Sequence, residues 1–134
     1  QATTLRHLNS VCFQRQLTRL RRTEGWERRL GAFLRAAETR SFDWQSGNCC
    51  LFVADAVEVQ TGGDIAVDFR SADLHDEAAA QAAMQSYCGG GVRETMAAVA
   101  ERAGFREVAP ARASRGDMVY SGSAGGVAGL VGMD

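Results

Sequence analysis

Two adjacent cysteines, Cys49 and Cys50, stand where a turn-prone run meets the start of an apolar stretch, and they are the residues best equipped for chemistry. A thiol in the first turn of a helix feels the positive end of the helix dipole, which lowers its pKa and favours the nucleophilic thiolate. Cysteine hydrolases prepare their nucleophile this way. The same position also suits a cysteine that is merely a small apolar core residue, the commoner use of a free thiol. Hydrolysis needs a base as well, and the sequence has only two histidines, His7 and His75. His7 lies among arginines with nothing nearby to orient it, and His75 falls just ahead of a helix.

The elements that must position these thiols follow from local signals. Ser46-Gly47-Asn48 is a turn, and the Asn48 side chain is a good acceptor for a first-turn amide, which makes Asn48 the N-cap and Cys49 the first helical residue. Phe52, Ala56 and Val59 then recur at helical spacing. Leu51, Val53, Ala54 and Val57 make the rest of the surface apolar, with Asp55 and Glu58 as a narrow polar stripe, so the helix is expected to be mostly buried. Thr61-Gly62-Gly63 ends it, glycine supplying the left-handed conformation of a C-cap.

Around this helix the spacing predicts a basic helix over residues 1–22. A cleaner one follows, capped by Thr23, with Trp26, Leu30, Phe33 and Leu34 on its apolar face and its end near residues 39–40. Phe42 and Trp44 are expected to pack as anchors, although aromatics beside a thiol also shape pockets. Residues 64–71 alternate apolar and polar and suggest a short strand or extended loop. Helices are expected over 76–87 and 92–103, separated by Gly89-Gly90-Gly91 and closed by Gly104. Strands are expected over 105–108, 117–121 and 127–132, the last two joined by a glycine-rich hairpin loop. Helices first and an antiparallel sheet after them place the chain in the α+β class.

With 134 residues, 46% of them hydrophobic, the chain has material for one core and gives no sign of a second domain. All 15 basic residues are arginine. Nine lie in residues 1–40 against three glutamates, leaving the remainder acidic within a net charge of -1. That balance argues against a general nucleic-acid binder, while a basic arm can dock on an acidic partner. Cys12, Cys49, Cys50 and Cys88 match no zinc-site spacing, so free thiols are expected, with no metal and no cofactor. No apolar run is long enough for a membrane span, and residues 1–22 carry no signal-peptide core, which suggests synthesis in a reducing cytoplasm.

The order of parts resembles the papain-like cell-wall cysteine peptidases of the NlpC type, and in particular a branch found among bacteriophage tail proteins. The residues that carry the resemblance are Trp26-Glu27-Arg28-Arg29-Leu30, Phe42 and Trp44, the run from Asn48 to Asp55, Thr61-Gly62, and Arg115-Gly116-Asp117-Met118-Val119. It covers residues 23–134 and leaves 1–22 as a basic helical extension. It implies an NlpC-like, papain-like domain, N-terminal helices followed by a small antiparallel sheet, with Cys49 as the candidate nucleophile.

Two departures stand out. Asn48 replaces the acid usual before the nucleophile, and the histidine that opens the strand after the hairpin is missing, since Val127-Ala128-Gly129-Leu130 occupies its place. The sequence also stops at Asp134, before the further strands the resemblance would add. A thiol without an imidazole lacks both the base that ionises it and the acid that protonates a leaving amine. The resemblance therefore implies a virion component at or near the phage tail tip, made in the host cytoplasm. Its peptidase-like fold would serve assembly with other phage tail proteins rather than catalysis. The alternative is an active cysteine hydrolase that cleaves peptidoglycan stem peptides, with Cys49 as nucleophile and His75 brought in as base.

Overall fold

The computed structural model describes residues 19–122 and 126–132. Its centre is a helix, α2, Cys49–Thr61, with Leu51, Val53, Ala54, Ala56, Val57 and Gln60 buried. Those positions leave no wide polar face, so neighbours must cover α2 on several sides. Helix α1, Trp26–Ala37, covers one side through the fully buried Leu30 and through Phe33, whose ring lies 5.3 Å from that of Phe52. A second side carries the cluster of Leu51, Ala54, Ala66 and Leu74, with Phe69, Ala80 and Ala83 packed against it. The third side meets the C-terminal hairpin.

A short helix, α3, Val67–Arg70, replaces the short strand or extended loop expected over residues 64–71. Ile65 and Phe69 are both partly buried against the Leu51 cluster, an i, i+4 relation that a helical turn satisfies. Val67, which alternation would have placed beside them, is 52% exposed. The Asp64 carboxylate accepts from the Ala66 amide at 2.9 Å and holds Arg70 at 3.0 Å, fixing the turn at both ends.

Helix α4, Glu77–Cys88, begins at Asp76, whose side chain accepts from the Ala79 amide, and ends at a left-handed Gly89. Helix α5, Val92–Arg102, is closed at its start by Glu94, which accepts from the Gly91 amide at 2.9 Å. Both boundaries lie within a residue or so of those expected. Residues 105–108 form no strand. The Phe105 amide turns back to the Ala100 carbonyl at 2.9 Å, and the single proline opens a 3-10 turn, Pro110–Arg112, so the segment has no ladder to join.

The sheet among the described residues has two antiparallel strands, β1, Met118–Ser121, and β2, Val127–Leu130, paired from Met118↔Leu130 to Ser121↔Val127. Pairing continues beyond them, Gly116 donating to the Val131 carbonyl and the Val131 amide to Asp117. The architecture is α+β, with five α-helices and then a small antiparallel hairpin among the described residues. No described helix is long and apolar enough to cross a membrane.

The helix expected over residues 1–22 lies largely outside the described residues, and residues 19–22 are not helical. They run against the domain: the Leu20 amide donates to the Ala103 carbonyl at 2.9 Å. Thr23 is not the N-cap of α1. Gly25 holds that place with φ of 81°, while the Thr23 carbonyl accepts from Trp26 and its hydroxyl from Arg29.

Candidate functional site

Asn48 sets the position of Cys49. It is 7% exposed, and its side chain both accepts from the Leu51 amide at 2.9 Å and donates to the Trp44 carbonyl at 2.8 Å. One residue thereby caps α2 and closes the turn that delivers the cysteines. The turn is held from outside as well, because Gln45 donates to the Ala72 carbonyl and accepts from the Leu74 amide, both at 2.9 Å. Cys49 occupies the first helical position, as the sequence predicts.

Cys49, Cys50 and Cys88 are free thiols. The Cys49 sulfur accepts a hydrogen bond from the Cys50 thiol, the strongest of the influences that bring its pKa from 9.0 down to about 6. Partial burial opposes the shift. The backbone amides of Ala128, Cys49 and Cys50 favour the thiolate further. Cys50 is pushed upward, since it donates to its neighbour and is buried beside that charge. The two shifts run in opposite directions, so the pair favours charge on Cys49 and the proton on Cys50.

The Ala128 contact is the informative one. Ala128 lies in β2, is 8% exposed, and falls in the stretch where the resemblance calls for a histidine. The hairpin packs on α2 so that the Ala128 backbone N–H favours the Cys49 thiolate, and a backbone N–H exchanges no proton during a reaction. His75, the only histidine among the described residues, is engaged elsewhere. Its Nδ1 lies 2.6 Å from Asp73 and its Nε2 3.3 Å from Asp76, on an exposed loop, and the Asp73 carboxylate holds the imidazole above its ordinary pKa. His7 falls outside the described residues.

In front of Cys49 opens a cleft of about 310 Å³ walled by Ala37, Arg40, Phe42, Gly47 and Phe52. Phe42 is not packed away as the sequence suggests. It is 62% exposed and stands edge-on to Trp44 with ring centroids 5.0 Å apart. Arg40 reaches Asp55 at 3.4 Å, and Asp55 also binds Arg70 at 2.8 Å, so the polar stripe of α2 forms a charged border. Among the described residues no group of three His, Cys, Asp or Glu side chains could hold a metal ion.

A buried polar junction that sequence reasoning missed holds the hairpin against α2. Gln60 is 2% exposed and donates to the carbonyls of Ala56 and Gly116, each at 3.1 Å. Its Oε1 accepts from Arg22 Nε at 2.8 Å, and Arg22 continues to Asp117 at 3.0 Å while stacking 4.2 Å over Trp26. Gly116 has φ of 88°, and a Cβ there would overlap the Gln60 side chain. The Arg115-Gly116-Asp117 run is therefore a structural joint: Arg115 donates to the Glu27 carbonyl and Asp117 accepts from the Ser114 amide. A glutamine in an otherwise apolar helix was the available signal.

The family model for a domain of unknown function, DUF6950, matches residues 21–133. The chain belongs to the DUF6950 family. The match takes in Arg22, Gln60, Gly116 and Asp117 together with both cysteines, so the joint and the thiol pair lie within one DUF6950 domain. No curated protein and no solved structure gives a significant match.

Proposed function

We propose that this domain is a structural or assembly component of a bacteriophage tail, near the tip, with a papain-like scaffold on which efficient amide cleavage has been lost. The observation that supports the loss of catalysis is that both nitrogens of His75 are held by Asp73 and Asp76, while the strand packed on α2 carries Val127 and Ala128 where the resemblance calls for a histidine. A backbone amide stabilises a thiolate and cannot protonate a leaving amine. The tail assignment rests on the sequence resemblance, including the Asn48–Cys49 helix start and the Arg115-Gly116-Asp117 hairpin. Its partners are then other tail proteins, docked on the scaffold and on the basic residues that precede it.

The test has two arms. Purified protein incubated with peptidoglycan sacculi should release no soluble fragments above a Cys49→Ala control, and it should co-purify with tail-tip proteins when co-expressed with them. Release of fragments that Cys49→Ala abolishes would establish the second reading, a cysteine hydrolase of stem peptides. The ionised thiol and the open cleft beside it favour that reading.

A further inference from the structure

We propose that Cys49, with the cleft in front of it, accepts an apolar acyl group from a thioester and keeps it. The inference rests on the reading that Cys49 has no imidazole partner, its neighbour Cys50 being a thiol that holds its proton too tightly to give it up, and it asks what such a sulfur can still do. Expelling an amine from a tetrahedral intermediate requires a proton. Expelling a thiolate does not, because the leaving sulfur is a stable anion near neutral pH. The reaction open to this geometry is therefore exchange between thioesters.

The step balances without an oxidant or an acid. The Cys49 sulfur attacks the acyl carbon, the bond from that carbon to Cys49 forms, the bond to the carrier sulfur breaks, and the carrier leaves with the electron pair as a thiolate. The amides of Cys49 and Cys50 lie in the first turn of α2, where they have no intrahelical acceptor and can meet a developing oxyanion. Water would need a base to attack the product, so the acyl group stays.

The walls select the acyl group. Phe42, Phe52 and Ala37 line a cleft of about 310 Å³, the lower end of the range for small-molecule sites, and Phe42 leaves much of its ring open to an occupant. A straight apolar chain would bury that ring, whereas an acetyl group would not reach along it. The reacting species is accordingly a thioester with a medium-length aliphatic chain.

The experiment uses the full chain with octanoyl-N-acetylcysteamine and acetyl-N-acetylcysteamine as donors, read by intact-mass and peptide mass spectrometry. One octanoyl group should appear on Cys49, be released by hydroxylamine and persist for hours in buffer. Neither Cys49→Ala nor Cys49→Ser, the second keeping the side-chain volume, should gain a group on that residue. Phe42→Ala should lower the octanoyl-to-acetyl rate ratio about tenfold, the loss expected for exposing part of an aliphatic chain. A bare Cys49, labelling confined to other cysteines, or a ratio unmoved by Phe42→Ala overturns the inference while leaving the assembly reading intact. Cleavage of the matching octanoyl anilide overturns the reading beneath it, since amide turnover requires the proton donor held to be missing.

Discussion

The Gln60 side-chain amide donates to the carbonyl of Gly116, a residue 56 positions later, and through that bond the buried helix holds the base of the hairpin whose far strand packs on the same helix. Gln60 also receives Arg22, so three chain segments meet at one buried carboxamide. Removing it strands the buried Gly116 carbonyl and takes one partner from the more exposed Arg22 guanidinium, which keeps Asp117.

Gln60→Ala should therefore destabilise the fold by about 2–4 kcal/mol, the combined effect of a cavity and unpaired polar groups. Urea denaturation of the two proteins measures it. A difference under about 0.5 kcal/mol, a surface-like value, contradicts the joint. Gly116→Ala should be destabilising as well, because the added Cβ meets both a left-handed backbone and the Gln60 side chain.

The Cys49 thiol gives a pH signature. With its pKa lowered from 9.0 to about 6, the thiolate fraction rises through that value, and iodoacetamide should alkylate Cys49 at a rate with its midpoint near pH 6. The sign for stability follows: a group depressed in the folded state stabilises above its ordinary pKa, and that contribution fades as pH falls through about 6. Cys50→Ala removes the largest cause and should move the alkylation midpoint up toward the ordinary thiol range. A wild-type midpoint already at pH 8 to 9 rules out the thiolate.

Asn48→Ala tests the turn. It deletes the cap on Leu51 and the bond to Trp44 together, so a loss of about 1–2 kcal/mol is expected by thermal or urea unfolding. Asn48→Asp should keep the cap, restore the acid expected from the resemblance, and lose the donor to Trp44. The added charge next to Cys49 should then raise the alkylation midpoint. If Asn48→Ala unfolds like the wild type, the cap is not what holds the turn.

Helix starts and stops were legible because their signals are local. Asn48 before Cys49 and Asp76 before Glu77 each bond an amide three residues on, and Gly62 ends α2 with φ of 82°. Alternation over residues 64–71 misled because Ile65 and Phe69 satisfy both a period of two and an i, i+4 pair, and only the packing of the Leu51 cluster decides between them. Thr23 looked like a cap, but the chain runs on to Gly25 before turning. The candidate site was legible as far as Cys49 and the gap at Val127 and Ala128. What fills that gap is a backbone amide, which every residue but proline possesses, so no side chain announces it.

Ala128→His is the sharpest intervention, since it offers a side chain of the missing kind on the strand that packs against the helix of Cys49. Ala128 is buried, so the larger ring should cost about 1–3 kcal/mol of stability through overpacking. In the protein that still folds, an imidazole within reach of Cys49 would act as base toward water. The acyl group that persists on the wild-type sulfur should then be hydrolysed, turning a single labelling event into repeated turnover of octanoyl-N-acetylcysteamine. Val127→His, on a residue 39% exposed at the start of the same strand, is the companion variant with less crowding. If both variants fold and both hold the acyl group as long as the wild type does, then the absence of an imidazole at this strand is not what stops the chemistry. The proposed loss of amide cleavage would then have to rest on the geometry of the cleft itself.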